Sequence, residues 1–144
     1  MQKLNKDQLI AAAMRARRNA IAPYSKFPVG AALLTKSGRI IDGANVESAS
    51  YGLTCCAERV ALFKALTEGE REFTAIAVVA RAPKGAMPCG ACRQLLAEYA
   101  PGAMVFTADS AQPERVRQFK LATLIPGAFL HVPVKPSRHR ARGK

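Results

Sequence analysis

Cys56, Cys89 and Cys92 fall at the starts of two separate helical segments, and this constrains the chain more than any other feature. Cys89 and Cys92 form a C-x-x-C on the first turn of a helix expected from about Gly90 to Ala100, so their sulfurs can reach one ion from the same face. Cys56-Ala57-Glu58 opens an earlier helix, expected to run from a Thr54 cap to about Thr67, with Cys56, Val60 and Phe63 on one side and Leu62 and Leu66 on another. At a helix N-terminus the dipole and the free N–H groups favour thiolate over thiol, and zinc binds the thiolate. The C-x-x-C alone would also suit a redox pair. The added cysteine, with a carboxylate two residues on, points to a metal site instead.

Three sulfurs fill three corners of a tetrahedron and leave the fourth for water, whereas a closed structural site fills all four. Glu58, bordering the same helix mouth, can act as general acid and base toward that water. Cys56 rather than Cys55 is the expected ligand, because the motif needs its sulfur two residues before Glu58. Three thiolates on a divalent ion leave a net charge of −1. Arg59 and Arg93, each directly after a motif residue, are placed to offset it by donating to the sulfurs. His131 and His139 read as solvated.

The remaining pattern places these helices in an α/β domain. A helix capped by Asn5 or Asp7 stops before Pro23. A hairpin of Val29 to Thr35 and Arg39 to Ala44 turns at Lys36-Ser37-Gly38, and Phe73 to Arg81 is a strand of the buried kind. Met104 to Ala108 and Arg115 to Leu121 supply two more strands. The expected architecture is a mixed central sheet of about five strands with helices packed on it, one domain over residues 1–134.

The net charge is +12, but Lys135, Arg138, Arg140, Arg142 and Lys144 lie within the last ten residues, which leaves +7 for the body. Residues 135–144 read as a basic, disordered tail, and a nucleic-acid partner is not expected. No apolar run approaches the roughly 20 residues of a membrane crossing, and Met1 to Asp7 lacks an apolar signal core. The expected location is the cytoplasm, where cysteines stay reduced.

Taken together, the residues resemble the small, homotetrameric cytidine deaminases. The match runs in register through Tyr24-Ser25-Lys26-Phe27-Pro28-Val29-Gly30-Ala31-Ala32-Leu33-Leu34, Gly43-Ala44-Asn45-Val46-Glu47, Cys56-Ala57-Glu58-Arg59, Pro88-Cys89-Gly90-Ala91-Cys92-Arg93-Gln94 and Leu124-Ile125-Pro126-Gly127-Ala128-Phe129. The resemblance implies a three-layer α-β-α sandwich, one zinc per chain, and deamination of free cytidine and 2′-deoxycytidine in pyrimidine salvage. It implies that Asn45 and Glu47 hold the ribose hydroxyls and that Phe27 lies beside the base. Ala57 and Tyr51 also belong to the implied substrate site, and Phe129 closes the site of a neighbouring subunit in the tetramer. Ser48 and Cys55 depart from the residues common in the family. Two rival readings are a deaminase of a cytosine-bearing antibiotic of the blasticidin type and a zinc-stabilised nucleic-acid binder using all four cysteines. A deaminase acting on polynucleotide is disfavoured by the small, enclosed site that Glu47 and Phe129 imply.

Overall fold

Asn5 caps the first helix, its Oδ1 accepting from the Gln8 N–H at 3.1 Å, and α1 runs Lys6–Arg17. The computed structural model describes residues 5–132, so the tail expected over 135–144 lies outside them. β1 (Val29–Thr35) and β2 (Ile40–Ala44) form the expected antiparallel hairpin. After a single 3-10 turn at Tyr51–Leu53 come α2 (Ala57–Thr67), β3 (Phe73–Ala80), α3 (Gly90–Tyr99), β4 (Met104–Asp109), β5 (Gln112–Lys120) and the one-turn α4 (Leu121–Leu124).

The five strands form one mixed sheet in the order β2-β1-β3-β4-β5, in which only β3 and β4 run parallel. Strand alternation sends Ala32, Ala77, Val79 and Phe106 to one face, where Leu9, Ile10 and Ala13 of α1 cover them. Leu33, Ile76 and Val105 face the other way, against Leu62 of α2, Leu96 of α3 and Leu121 of α4. The result is an α-β-α sandwich. β3 is central and covered on both faces, which explains why its sequence, Phe-Thr-Ala-Ile-Ala-Val-Val-Ala, is an unbroken apolar run apart from Thr74.

Two glycines let the helices approach the sheet. A Cβ on Gly30 would lie 2.0 Å from the Ala13 carbonyl oxygen, so β1 meets α1 backbone to backbone. A Cβ on Gly43 would lie 2.6 Å from the Ala61 nitrogen and 2.9 Å from the Ala57 oxygen. Gly43 therefore seats the first turns of α2 against the end of β2, and both the Cys56 and the Asn45 segments leave from that contact.

Three expectations change. Thr54 does not cap α2; Cys56 occupies the N-cap position, and Thr54 ends the 3-10 turn instead. The buried side of α2 is Ala57, Glu58, Ala61, Leu62 and Ala65, while Phe63 is exposed, because in a nearly all-apolar helix the small residues take the face nearest the sheet. β5 begins at Gln112 rather than Arg115, as a largely exposed edge strand.

Candidate active site

Two helix N-termini carry the sulfurs. Cys56 caps α2 and Cys89 caps α3, both in extended backbone, and neither side chain makes the capping hydrogen bond that a serine or aspartate would make there. Their sulfurs are left free. Cys92 is on the first turn of α3 and is buried. The Cys56 and Cys89 sulfurs are 3.9 Å apart, those of Cys89 and Cys92 3.5 Å, and all three lie within 4.8 Å of one another.

Those separations fit a metal. With Zn–S bonds of about 2.3 Å, tetrahedral angles put neighbouring sulfurs about 3.8 Å apart. All four cysteines are free, none paired in a disulfide. Cys55 lies outside the cluster, and the reading that used four sulfurs loses its fourth ligand.

The charges are arranged around Cys56. Hydrogen bonds within the cluster, Cys92 first, and the Arg59 guanidinium pull its thiol down to about 5, while the shared proton and burial push Cys92 up. Arg59 Nη2 donates to Cys56 Sγ at 3.5 Å and to the Thr54 carbonyl at 3.2 Å, and its Nε is buried with no partner among the described residues. Arg93 takes a different part from the one expected. Its Nε donates to the Pro88 carbonyl at 2.8 Å and its Nη1 to the Leu124 carbonyl at 2.9 Å, so it braces the residue before Cys89 against α4 rather than bonding a sulfur.

Glu58, on the first turn of α2, is 5% exposed. Burial raises its carboxyl to about 7, with a smaller push from Cys56 and an opposing pull from Arg59. A carboxyl poised near neutrality can both take and give a proton.

The Asn45 segment is tied to the cysteines by backbone pairing. Val46 exchanges both hydrogen bonds with Cys55, at 3.0 and 2.9 Å, and on its other side the strand bonds Ile21 through the Asn45 carbonyl and the Glu47 N–H at 2.9 and 2.8 Å. Asn45 is buried, and its side chain clamps the chain near Phe27: Oδ1 accepts from the Val29 N–H at 2.8 Å and Nδ2 donates to the Phe27 carbonyl at 3.0 Å. Glu47 is half-buried, with Oε1 accepting from the Tyr24 and Ser25 N–H groups and Oε2 from the Ser25 hydroxyl. These bonds, Ser25 foremost, hold its carboxyl below the ordinary range, helped by the charge of Lys26.

A cleft of about 400 Å³ lies here, lined by Tyr24, Ser25, Glu47, Tyr51 and Thr54. The sulfurs are not in its wall; Thr54 connects it along the chain to Cys56. The Tyr24 and Tyr51 rings meet edge to face with centroids 5.8 Å apart. Ser25, Tyr24 and Thr54 were not among the residues expected at the site, although Tyr24 and Ser25 open the first segment of the family match and Thr54 was expected as a cap. Phe27 is 38% exposed; Phe129, 64% exposed, does not line this cleft, and its carbonyl accepts from Gln94 Nε2 at 2.6 Å.

Residues 3–108 match the model of the cytidine and deoxycytidylate deaminase zinc-binding region. The chain belongs to this deaminase family. It is 50% identical over 126 residues to a cytidine deaminase of Halalkalibacterium halodurans, covering 88% of this chain and 95% of that one. Among solved structures, cytidine deaminase from Burkholderia pseudomallei superposes with a TM-score of 0.83 at 48% identity, over 88% of this chain and all of that one. A blasticidin-S deaminase of Bacillus cereus is 36% identical over 89 residues, which is 56% of this chain and 64% of that protein. No helix among the described residues is long and apolar enough to cross a membrane.

Proposed function

We propose that this chain is a zinc-dependent hydrolase that converts free cytidine and 2′-deoxycytidine, with one water, to uridine or 2′-deoxyuridine and ammonia. The observation that carries the reading is the convergence of three sulfurs, at tetrahedral spacing, with a buried carboxyl poised near 7 on the same helix turn as one of them. Cys56, Cys89 and Cys92 hold one zinc per chain, which when bound supplies Lewis-acid activation of a water at neutral pH. Glu58 takes a proton from the attacking water and delivers it to the ring nitrogen beside C4, then takes the remaining proton from the new C4 hydroxyl and passes it to the amino group, which leaves as ammonia as the C4 carbonyl forms. Arg59, on Cys56, offsets the negative charge of three thiolates. Arg93 holds the Pro88-Cys89 segment in place.

The cleft receives the sugar, with Glu47 accepting from its hydroxyls. Asn45 orders the Phe27 backbone beside the base, and Tyr51 and the Ala57 end of α2 complete this side. Phe129 acts on a neighbouring subunit of a homotetramer. Support for that assembly is the exposure of Tyr51, Leu53, Phe63 and Phe129. Free thiol ligands belong in a reducing compartment, the cytoplasm.

The test is cytidine conversion, followed by the absorbance change from cytosine to uracil, with zinc counted on the same sample. Turnover with about one zinc per chain is the expected result. Zinc without turnover, or faster turnover of blasticidin S than of cytidine, would overturn the substrate assignment.

A further inference from the structure

We infer that Ser25 is a positioning residue for sugar recognition: its hydroxyl fixes the Glu47 carboxylate so that one lone pair of Oε2 is left facing the cleft for a ribose hydroxyl, and couples that carboxylate to Phe27. This rests on the reading of Glu47 as the sugar-binding acid.

An ionised carboxylate has about four acceptor sites, two on each oxygen. On Glu47, Oε1 accepts from two successive backbone donors, the Tyr24 N–H at 3.0 Å and the Ser25 N–H at 3.1 Å. Oε2 accepts from the Ser25 hydroxyl. Three sites are filled by one turn of the chain, and the fourth lies on Oε2 beside the Ser25 hydroxyl. Ser25 and Glu47 both line the 400 Å³ cleft, so that fourth site borders its free volume. The size lies within the range of about 300–1,000 Å³ usual for small-molecule sites.

The same hydroxyl looks both ways. While donating to Glu47 it accepts from the Phe27 N–H at 3.0 Å. Phe27 is held from its carbonyl side by Asn45 Nδ2. Glu47, Ser25, Phe27 and Asn45 are therefore one hydrogen-bonded chain, in which Ser25 is the link between the acid and the aromatic residue. The turn is built for this contact: Lys26 sits at φ +57°, in the left-handed region that side chains seldom adopt, and its N–H closes onto the Ala22 carbonyl at 3.1 Å. With the Ser25 hydroxyl gone, the carboxylate keeps its two backbone donors but Oε2 is free to turn, and a sugar hydroxyl meets an acceptor of undefined direction.

The experiment compares cytidine with 2′,3′-dideoxycytidine, which lacks the 2′ and 3′ hydroxyls, on the zinc-loaded enzyme. Ser25→Ala should raise KM for cytidine about tenfold, the scale of losing alignment at a charged hydrogen bond. KM for the dideoxy substrate, and kcat for both, should stay within about twofold, because Asn45 Nδ2 still holds the Phe27 carbonyl beside the base, so the discrimination between the substrates narrows. Ser25→Thr keeps a hydroxyl and should restore it. A turn that was merely loosened would weaken both substrates alike, and that result overturns the proposal. Glu47→Gln separates the layers. If it narrows the discrimination while Ser25→Ala leaves it intact, the sugar reading of Glu47 stands and Ser25 fails; if Glu47→Gln also leaves it intact, the reading of Glu47 falls, and the role of Ser25 with it.

Discussion

Glu58 shows how one residue can be necessary to chemistry while costing the fold little to replace. Its carboxyl is raised to about 7 because burial disfavours the charged form, so a neutral isostere meets no penalty in the same space. Glu58→Gln should keep zinc and thermal stability and lower kcat by about 10²–10⁴-fold, the usual range for a positioned acid and base, measured by the cytosine-to-uracil absorbance change. Activity near wild type in that variant would remove Glu58 from the mechanism. Cys89 sits differently: it is exposed at the tip of α3, with its sulfur 3.9 Å from that of Cys56 and 3.5 Å from that of Cys92. Cys89→Ala should fold and lose its metal, because two sulfurs do not hold the ion that three do. A fully loaded variant, counted by elemental analysis, would exclude Cys89 as a ligand. Motif chemistry made Cys56, Glu58, Cys89 and Cys92 legible in the sequence, since each residue type has a function that spacing reveals. Ser25 and Thr54 were not legible, because a hydroxyl in a turn carries no periodic signal, and its partner Glu47 is 22 residues away in sequence.

The elements were legible where apolar periodicity was long and less so where it was short or saturated. β1, β3 and β4 have the apolar runs of strands covered by helices, and they appear within a residue of the expected ends. The Tyr51–Leu53 turn and α4 are too short to register a period, and the start of β5 is a polar edge that resembles a loop. The cap of α2 was misplaced because threonine is a stronger capping residue than cysteine; the extended backbone at Cys56 keeps its sulfur outside the helix instead. What locates α2 against the sheet is Gly43, whose missing side chain admits the Ala57 and Ala61 backbone. Gly43→Ala forces backbone atoms apart, at an expected cost of about 1–3 kcal/mol, the scale of overpacking. The shift should also carry Cys56 away from α3, so that Tm falls and zinc leaves more readily on dilution. Gly102→Ala, in the turn between α3 and β4, where the added atom meets nothing within 4 Å, should leave both unchanged and serves as the comparison. Loss of stability without faster zinc release would show that Gly43 does not set the sulfur spacing.

At the scale of the molecule, the sheet brings distant segments to one end, yet a single chain leaves that end open. The turn between Glu47 and Cys56 displays Tyr51 and Leu53, each 74% exposed. A lone exposed leucine is unremarkable, but this turn lies between the cleft and a proposed zinc ligand, and Phe129, a residue the proposed site requires, does not line the cleft of its own chain. Leu53 is outside both core clusters and takes no part in the proposed chemistry, so Leu53→Glu should leave the folded single chain intact. Within a tetramer it buries an unpaired charge at a subunit contact, which costs several kcal/mol at each site. The variant should therefore pass from tetramer toward smaller species by light scattering, retain about one zinc per chain, and lose turnover in proportion, because its sites lack the neighbour's Phe129. The sign of the comparison matters: a dissociated Leu53→Glu enzyme with full activity would mean that one chain suffices, and that Phe129 closes nothing. A tetramer with full activity would place the subunit contact elsewhere, away from the Tyr51–Leu53 turn.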